Sequence, residues 1–144
     1  MIPQALLDLI RRFEGCKLRA YLCPAGVWTI GFGATGQGIQ AGTQWTQAQA
    51  DERLQRDADT FYVAAGKLSP RLWLEGDAKH AAIADFCFNL GSTRYKASTL
   101  KRRIDAGDWQ GAAEELQKWV YGGGRKLPGL IARRNAEAAM LREK

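Results

Sequence analysis

Glu14, Cys23 and Thr29 are the residues whose types and spacing could form a reaction centre. Glu14 follows Leu6, Leu9, Ile10 and Phe13 at helical spacing and precedes Gly15, a natural helix stop. A carboxyl in the last turn meets the negative end of the helix dipole, which disfavours its ionised form, and Phe13 and Leu18 add apolar surroundings. A carboxylic acid held partly protonated, beside an open floor and a polar partner, is what general-acid cleavage of a glycosidic bond requires. The same side chain could equally pair with Arg11, Arg12, Lys17 or Arg19 on a solvated face, and spacing alone does not separate the two.

The other two candidates lie on a hairpin. Leu18 to Leu22 and Val27 to Phe32 are β-prone runs separated by Pro24-Ala25-Gly26. Alternation puts Val27, Thr29, Gly31 and Gly33 on one face of the second run and Trp28, Ile30 and Phe32 on the other. The aromatic face is expected in the core. The glycine face is expected to be open, with the Thr29 hydroxyl on it and Cys23 across the turn.

Other chemistries lack their residues. His80 is the single histidine, so there is no H-E-x-x-H metal site and no G-x-S-x-G triad. Cys16, Cys23, His80 and Cys87 have the types of zinc ligands at spacings of no known finger or ribbon, and no metal is expected. Gly31-Phe32-Gly33-Ala34-Thr35-Gly36 matches the dinucleotide fingerprint, but Gln37 to Gly42 after it is no helix, so no cofactor is expected. Three cysteines without repeated spacing fit free thiols in a reducing compartment. No run reaches the ~18 apolar residues of a membrane span, and the first residues lack the order of a signal peptide, so a cytosolic protein is expected.

A chain of 144 residues, 46% hydrophobic and 25% charged, is one globular domain, expected as a monomer. Thr46-Gln47-Ala48-Gln49 is a capping box opening a long helix with Gly66 at its end. The stretch Ala34 to Gly42 before it reads as irregular or as a weak third strand. Asp77 to Leu90, apolar nearly all round, predicts a buried central helix stopped by Gly91. Ser98, Asp108 and Pro128 start three more helices. The fold class is therefore α+β and mostly helical. A small lobe over about 13–46 carries the hairpin, a helix over about 47–66 bridges, and a helical lobe covers about 67–144, with residues 1–12 packing on it.

Charge is lopsided. Residues 1–93 hold nine basic and nine acidic side chains, while residues 94–144 hold twelve and six. That basic last third points to an anionic surface such as wall polymer, membrane or nucleic acid, or to solubility alone, with Lys101, Arg102 and Arg103 as candidate contacts.

Phe13-Glu14-Gly15, Tyr21 and Trp28-Thr29-Ile30-Gly31-Phe32-Gly33 resemble the signature of the phage-type lysozymes, the endolysin muramidases of glycoside hydrolase family 24. That signature is Glu, eight residues, Asp, five residues, Thr; here Cys23 stands at the Asp position. Phe88-Asn89-Leu90-Gly91, Ser98-Thr99-Leu100, Gly107-Asp108-Trp109 and the run Gly124 to Glu137 are similar to later family segments in the same order. Ala34 replaces a histidine that many members carry.

The resemblance implies a lysozyme-like fold with a cleft between two lobes. It also implies hydrolysis of the β-1,4 bond between N-acetylmuramic acid and N-acetylglucosamine in peptidoglycan. Glu14 would be the general acid. Thr29 would position water or sugar, and Cys23 would act as base or nucleophile or merely orient water. Gly33, Phe88 and Thr99 match positions lining the sugar cleft, with core packing the rival role for Phe88; Gly129 and Arg133 read as structural. The partners would be peptidoglycan glycan strands and no nucleic acid, with membrane contact through the basic third left open. The protein would wait in the host cytoplasm for a holin. A lytic transglycosylase and a degenerate, non-catalytic basic module binding wall or membrane are the alternatives.

Overall fold

The computed structural model describes residues 2–144; Met1, the first residue of the segment expected on the helical lobe, lies outside them. The chain divides into two compact units. One is Leu7–Asp57, and the other runs from Ala58 to Lys144 and takes in the first residues up to Leu6. The described elements are seven helices and two small hairpins, so the chain is α+β and mostly helical.

The Leu7–Asp57 unit is built on α1 (Gln4–Glu14), β1 (Lys17–Leu22), β2 (Trp28–Gly31) and the first half of α2 (Gln47–Leu68). Strands β1 and β2 are antiparallel, with Tyr21 opposite Thr29 and Leu22 opposite Trp28. A tight turn closes them, the Cys23 amide donating to the Val27 carbonyl at 3.0 Å and the Gly26 amide to Cys23 at 2.8 Å. The stretch Ala34 to Gly42 is irregular, one of its two expected readings, and the weak third strand lies after it. Residues 43–45, not Ala34 to Gly42, run beside β1, with Ala20 donating to Thr43 and Trp45 to Leu18, both at 2.9 Å. Gly36, Gly38 and Gly42 all have positive φ, which interrupts an extended strand.

Strand β2 also stops at Gly31 rather than Phe32. Gly31 turns at φ +64, and Ile30 and Ala34 exchange backbone hydrogen bonds of 2.9 and 2.8 Å across the bend. The face expected to be open is covered. A Cβ on Gly31 would stand 3.0 Å from the Trp45 ring, and Thr29 is only 5% exposed. Trp45 precedes the capping Thr46 and lies with Ala50 over Gly31, the pairing of a hydrophobic staple at the start of α2. The capping box itself forms as expected, the Thr46 amide donating to Gln49 Oε1 at 2.8 Å and the Gln49 amide to Thr46 Oγ1 at 3.1 Å.

In the other unit α2 continues two residues past Gly66. Gly66 is a packing residue rather than a stop, because a Cβ there would come within 2.3 Å of the Trp73 indole. A 3-10 turn over Pro70–Leu74 and the short helix α4 (Ser92–Lys96) flank the central α3 (Asp77–Leu90), whose residues from Lys79 to Cys87 are all buried. Gly91, at φ +96, ends α3 as expected. Helices α5 (Thr99–Asp105) and α6 (Trp109–Leu116) begin at their predicted caps, Ser98 Oγ accepting from the Lys101 amide at 3.0 Å and Asp108 Oδ1 from Gly111 at 2.9 Å. A hairpin of β3 (Tyr121–Gly122) and β4 (Arg125–Lys126) precedes α7 (Pro128–Leu141), which packs on α3 and α6.

Between α3 and α7 lies a buried ionic cluster. Arg133 grips Asp85 through two hydrogen bonds of 2.8 and 2.7 Å. Arg134 donates to Asn89 and Glu137, both at 2.9 Å, with its guanidinium 5.2 Å from the Phe86 ring centre. Burial and the neighbouring Asp85 push the Glu137 carboxyl well above the usual range, against the pull of Arg134. One partner lost from such a cluster leaves an uncompensated buried charge, a cost of about 3–5 kcal/mol.

Candidate active site

Glu14 is the last residue of α1, and Gly15 at φ +65 reverses the chain straight into β1. Its carboxyl lies against the bend at residues 30–34. A Cβ on Gly33 would stand 3.3 Å from Glu14 Oε1, and Gly33 itself has φ +87. The helix end and the bend after β2 therefore meet at one acid and one bare backbone position. Ala34 is buried in the same bend and presents a methyl group, with no polar atom to offer the acid.

Cys23 and Thr29 come together across the β1–β2 turn. The Thr29 hydroxyl donates to the Val27 carbonyl at 2.9 Å. The amide of Val27 first, then that of Ala25, and the Thr29 hydroxyl hold the Cys23 thiol below its ordinary pKa. Cys87 is the opposite case, since burial in α3 pushes its thiol up to about 12. A part-exposed thiol that ionises readily is chemically competent, and a buried one is a small core residue.

Glu14, Cys23, Thr29 and Gly33 all belong to the Leu7–Asp57 unit; Phe88 and Thr99 belong to the other. Phe88 is half-buried near the end of α3 and meets Phe61 edge-on at 5.5 Å, so part of its role is packing. Thr99 opens α5, accepts from Arg102 at 2.9 Å, and lines a hollow of about 290 Å³ with Leu100, Glu115, Lys118 and Trp119. Among the described residues no group of His, Cys, Asp and Glu could hold a metal ion.

Trp45 is the contributor that sequence reasoning missed. Its ring braces Gly31, two residues before the position that receives Glu14. The legible signal was an apolar residue directly before a capping box, with Ala50 five positions on.

The family model of phage lysozymes matches residues 11–137. The endolysin of Acyrthosiphon pisum secondary endosymbiont phage 1 is 39% identical over 144 residues, covering 96% of each chain. The endolysin from Escherichia coli O157:H7 phage FAHEc1 superposes with a TM-score of 0.85 at 31% identity, over 99% of this chain and 94% of that one. The muramidase domain of SpmX from Asticaccaulis excentricus gives a TM-score of 0.87 at 28% identity, over 100% and 99%. With a glutamate at the end of α1 and a thiol and a threonine hydroxyl on the hairpin after it, all within the residues that these matches span, the chain belongs to the phage lysozyme family and is a glycoside hydrolase of the endolysin type.

Proposed function

We propose that Glu14 protonates the glycosidic oxygen between N-acetylmuramic acid and N-acetylglucosamine in peptidoglycan, while Cys23 and Thr29 serve the opposite face of the sugar. The observation that carries this reading is the Glu14 carboxyl set against the bare backbone of Gly33, in the same unit as the Cys23 thiol and the Thr29 hydroxyl. As the bond breaks, positive charge develops at the sugar carbon. The Cys23 thiolate, favoured by the Val27 and Ala25 amides, either attacks that carbon or, with the Thr29 hydroxyl, orients the water that does. Gly33, Phe88 and Thr99 contact the glycan strand in this reading.

The protein acts as a monomer on glycan strands and not on nucleic acid. It is held in the host cytoplasm until a holin opens the route to the wall. The basic last third supports contact with anionic surfaces, of which the membrane is one.

Mass spectrometry of muropeptides released from purified walls tests the reaction. Reducing N-acetylmuramic acid ends are expected. Anhydro ends would make the protein a lytic transglycosylase, and no release by folded protein would leave a wall-binding module.

A further inference from the structure

The bend that receives the Glu14 carboxyl is tied at both ends to the region of α2. At its start the Trp45 ring lies on Gly31. At its far end the Arg53 guanidinium, 18 positions along the chain, donates from Nη2 to the Thr35 carbonyl at 2.9 Å. Gly33, the residue against Glu14 Oε1, stands between these two points. Trp45 and Arg53 line one hollow of about 250 Å³ with Gln49, Glu52 and Arg56. Gln49, Arg53 and Arg56 follow at steps of four and three, so one face of α2 meets the bend.

Arg53 is itself oriented. Its Nε donates to both carboxylate oxygens of Asp57, one turn on, at 3.1 and 3.0 Å. One edge of the planar guanidinium is thus fixed while another nitrogen reaches Thr35, a use of the fork that an ammonium cannot copy. At 22% and 27% exposure this pair is more shielded than Arg11 and Asp51, at 38% and 44% and 3.8 Å apart.

The far end of the bend needs such a tie. Ile30 and Ala34 exchange backbone bonds, but Thr35 opens a stretch with Gly36, Gly38 and Gly42 at positive φ. The backbone bonds from Ile39 to Gly36 at 3.2 Å and from Thr43 to Gln40 at 3.1 Å are local turns. Glycine-rich backbone has the most conformational freedom to lose, so a fixed carbonyl at Thr35 limits where Gly33 can stand.

We propose that Arg53 is a positioning residue for glycosidic cleavage: through the Thr35 carbonyl it fixes the bend whose Gly33 backs the Glu14 carboxyl. The inference rests on the reading of Glu14 as the general acid. Arg53 acts through the backbone, and a misplacement of about 1 Å is enough to cost about 10²-fold.

Arg71 supplies a matched control in the other unit. It pairs with Glu75, four residues on, at 3.2 Å and donates to the Asp105 carbonyl at 3.3 Å. Arg71→Gln therefore removes the same charge, the same kind of ion pair and a like bond to a distant carbonyl.

Release of reducing ends from purified walls gives kcat and KM for each variant, measured well below its Tm. Arg53→Gln is expected to lower kcat about tenfold or more with KM within about twofold. Asp57→Asn leaves the Thr35 bond in place and should lower kcat less. Arg71→Gln should change Tm by a similar amount and leave kcat within about twofold. Gly33→Ala completes a double-mutant cycle, because it presses on the same carboxyl. If Arg53 acts through the bend, the double variant loses less than the product of the two single kcat losses.

Losses that multiply would place the Arg53 effect elsewhere and overturn the proposal. So would equal kcat losses in Arg53→Gln and Arg71→Gln, or a rise in KM alone, which would make Arg53 a wall contact. Glu14→Gln measured alongside separates the two failures. An active Glu14→Gln removes the acid reading and the Arg53 role with it. An inactive Glu14→Gln beside wild-type kcat in Arg53→Gln overturns the Arg53 role alone.

Discussion

Oε1 of Glu14 lies 3.3 Å from where a Cβ on Gly33 would stand, so the acid at the end of α1 and the bend after β2 share one small space. Gly33→Ala must adopt φ +87 and press a methyl against the carboxyl. The backbone cost is about 1–2 kcal/mol. A kcat loss larger than the Tm drop explains is expected, because the acid is displaced. Wild-type kcat in a destabilised Gly33→Ala protein would show that the contact has no catalytic part.

Glu14→Gln should keep the fold and lose lysis. The amide is nearly isosteric yet cannot give a proton to the leaving oxygen, a loss of about 10²-fold or more. Turbidity of chloroform-treated Gram-negative cells, with circular dichroism as the fold control, measures this. Unchanged lysis would remove Glu14 from the mechanism.

Cys23 is expected to set the pH profile. Amide donation from Val27 and Ala25 lowers its pKa, so the thiolate forms, and activity rises, at lower pH than the ~8.5 of a free thiol allows. Cys23→Asp should retain or raise activity and flatten that rising limb. Cys23→Ala should cost far more than Cys87→Ala, since the Cys87 thiol is pushed up to about 12 by burial. Full activity of Cys23→Ala from pH 5 to 9 would leave Glu14 and Thr29 to act through water alone.

His80 makes the fold acid-sensitive. It stacks on Tyr62 at 3.6 Å, meets Trp73 edge-on at 4.5 Å, and donates from Nε2 to the Tyr62 carbonyl at 2.8 Å, while Nδ1 has no partner. Burial lowers its pKa, against the Tyr62 carbonyl and Asp77. A base with a lowered folded pKa stays neutral where the unfolded chain is protonated. Its stability contribution is therefore present above the unfolded pKa of 6.5 and lost as pH falls below it, with a slope of at most about 1.4 kcal/mol per unit. Glu137, whose pKa is raised, acts in the opposite sense, losing stability as pH rises through its folded value. Urea unfolding between pH 7.5 and 5 should show a smaller acid loss for His80→Gln and a larger one for Glu137→Gln. Equal slopes in wild type and His80→Gln would refute the assignment.

The sequence by itself determined what depends on neighbours a few residues apart. The capping box at Thr46, the caps at Ser98 and Asp108, the stop at Gly91 and the α1–Glu14–Gly15 ending are local hydrogen bonds and local φ preferences, and each formed as read. The short range between Cys23 and Thr29 was legible for the same reason, because one tight turn joins them. Only the tertiary structure decided which surfaces are covered. Gly31 looked open until Trp45, fourteen positions on, closed it, and Gly66 looked like a stop until Trp73 needed its place. The extra cations after residue 93 divided into paired and unpaired only when Asp85 met Arg133 across 48 positions and the hairpin left Arg125 and Lys126 without carboxylates. Burial and ion pairing depend on residues that only packing brings together, and periodicity along the chain carries no record of them.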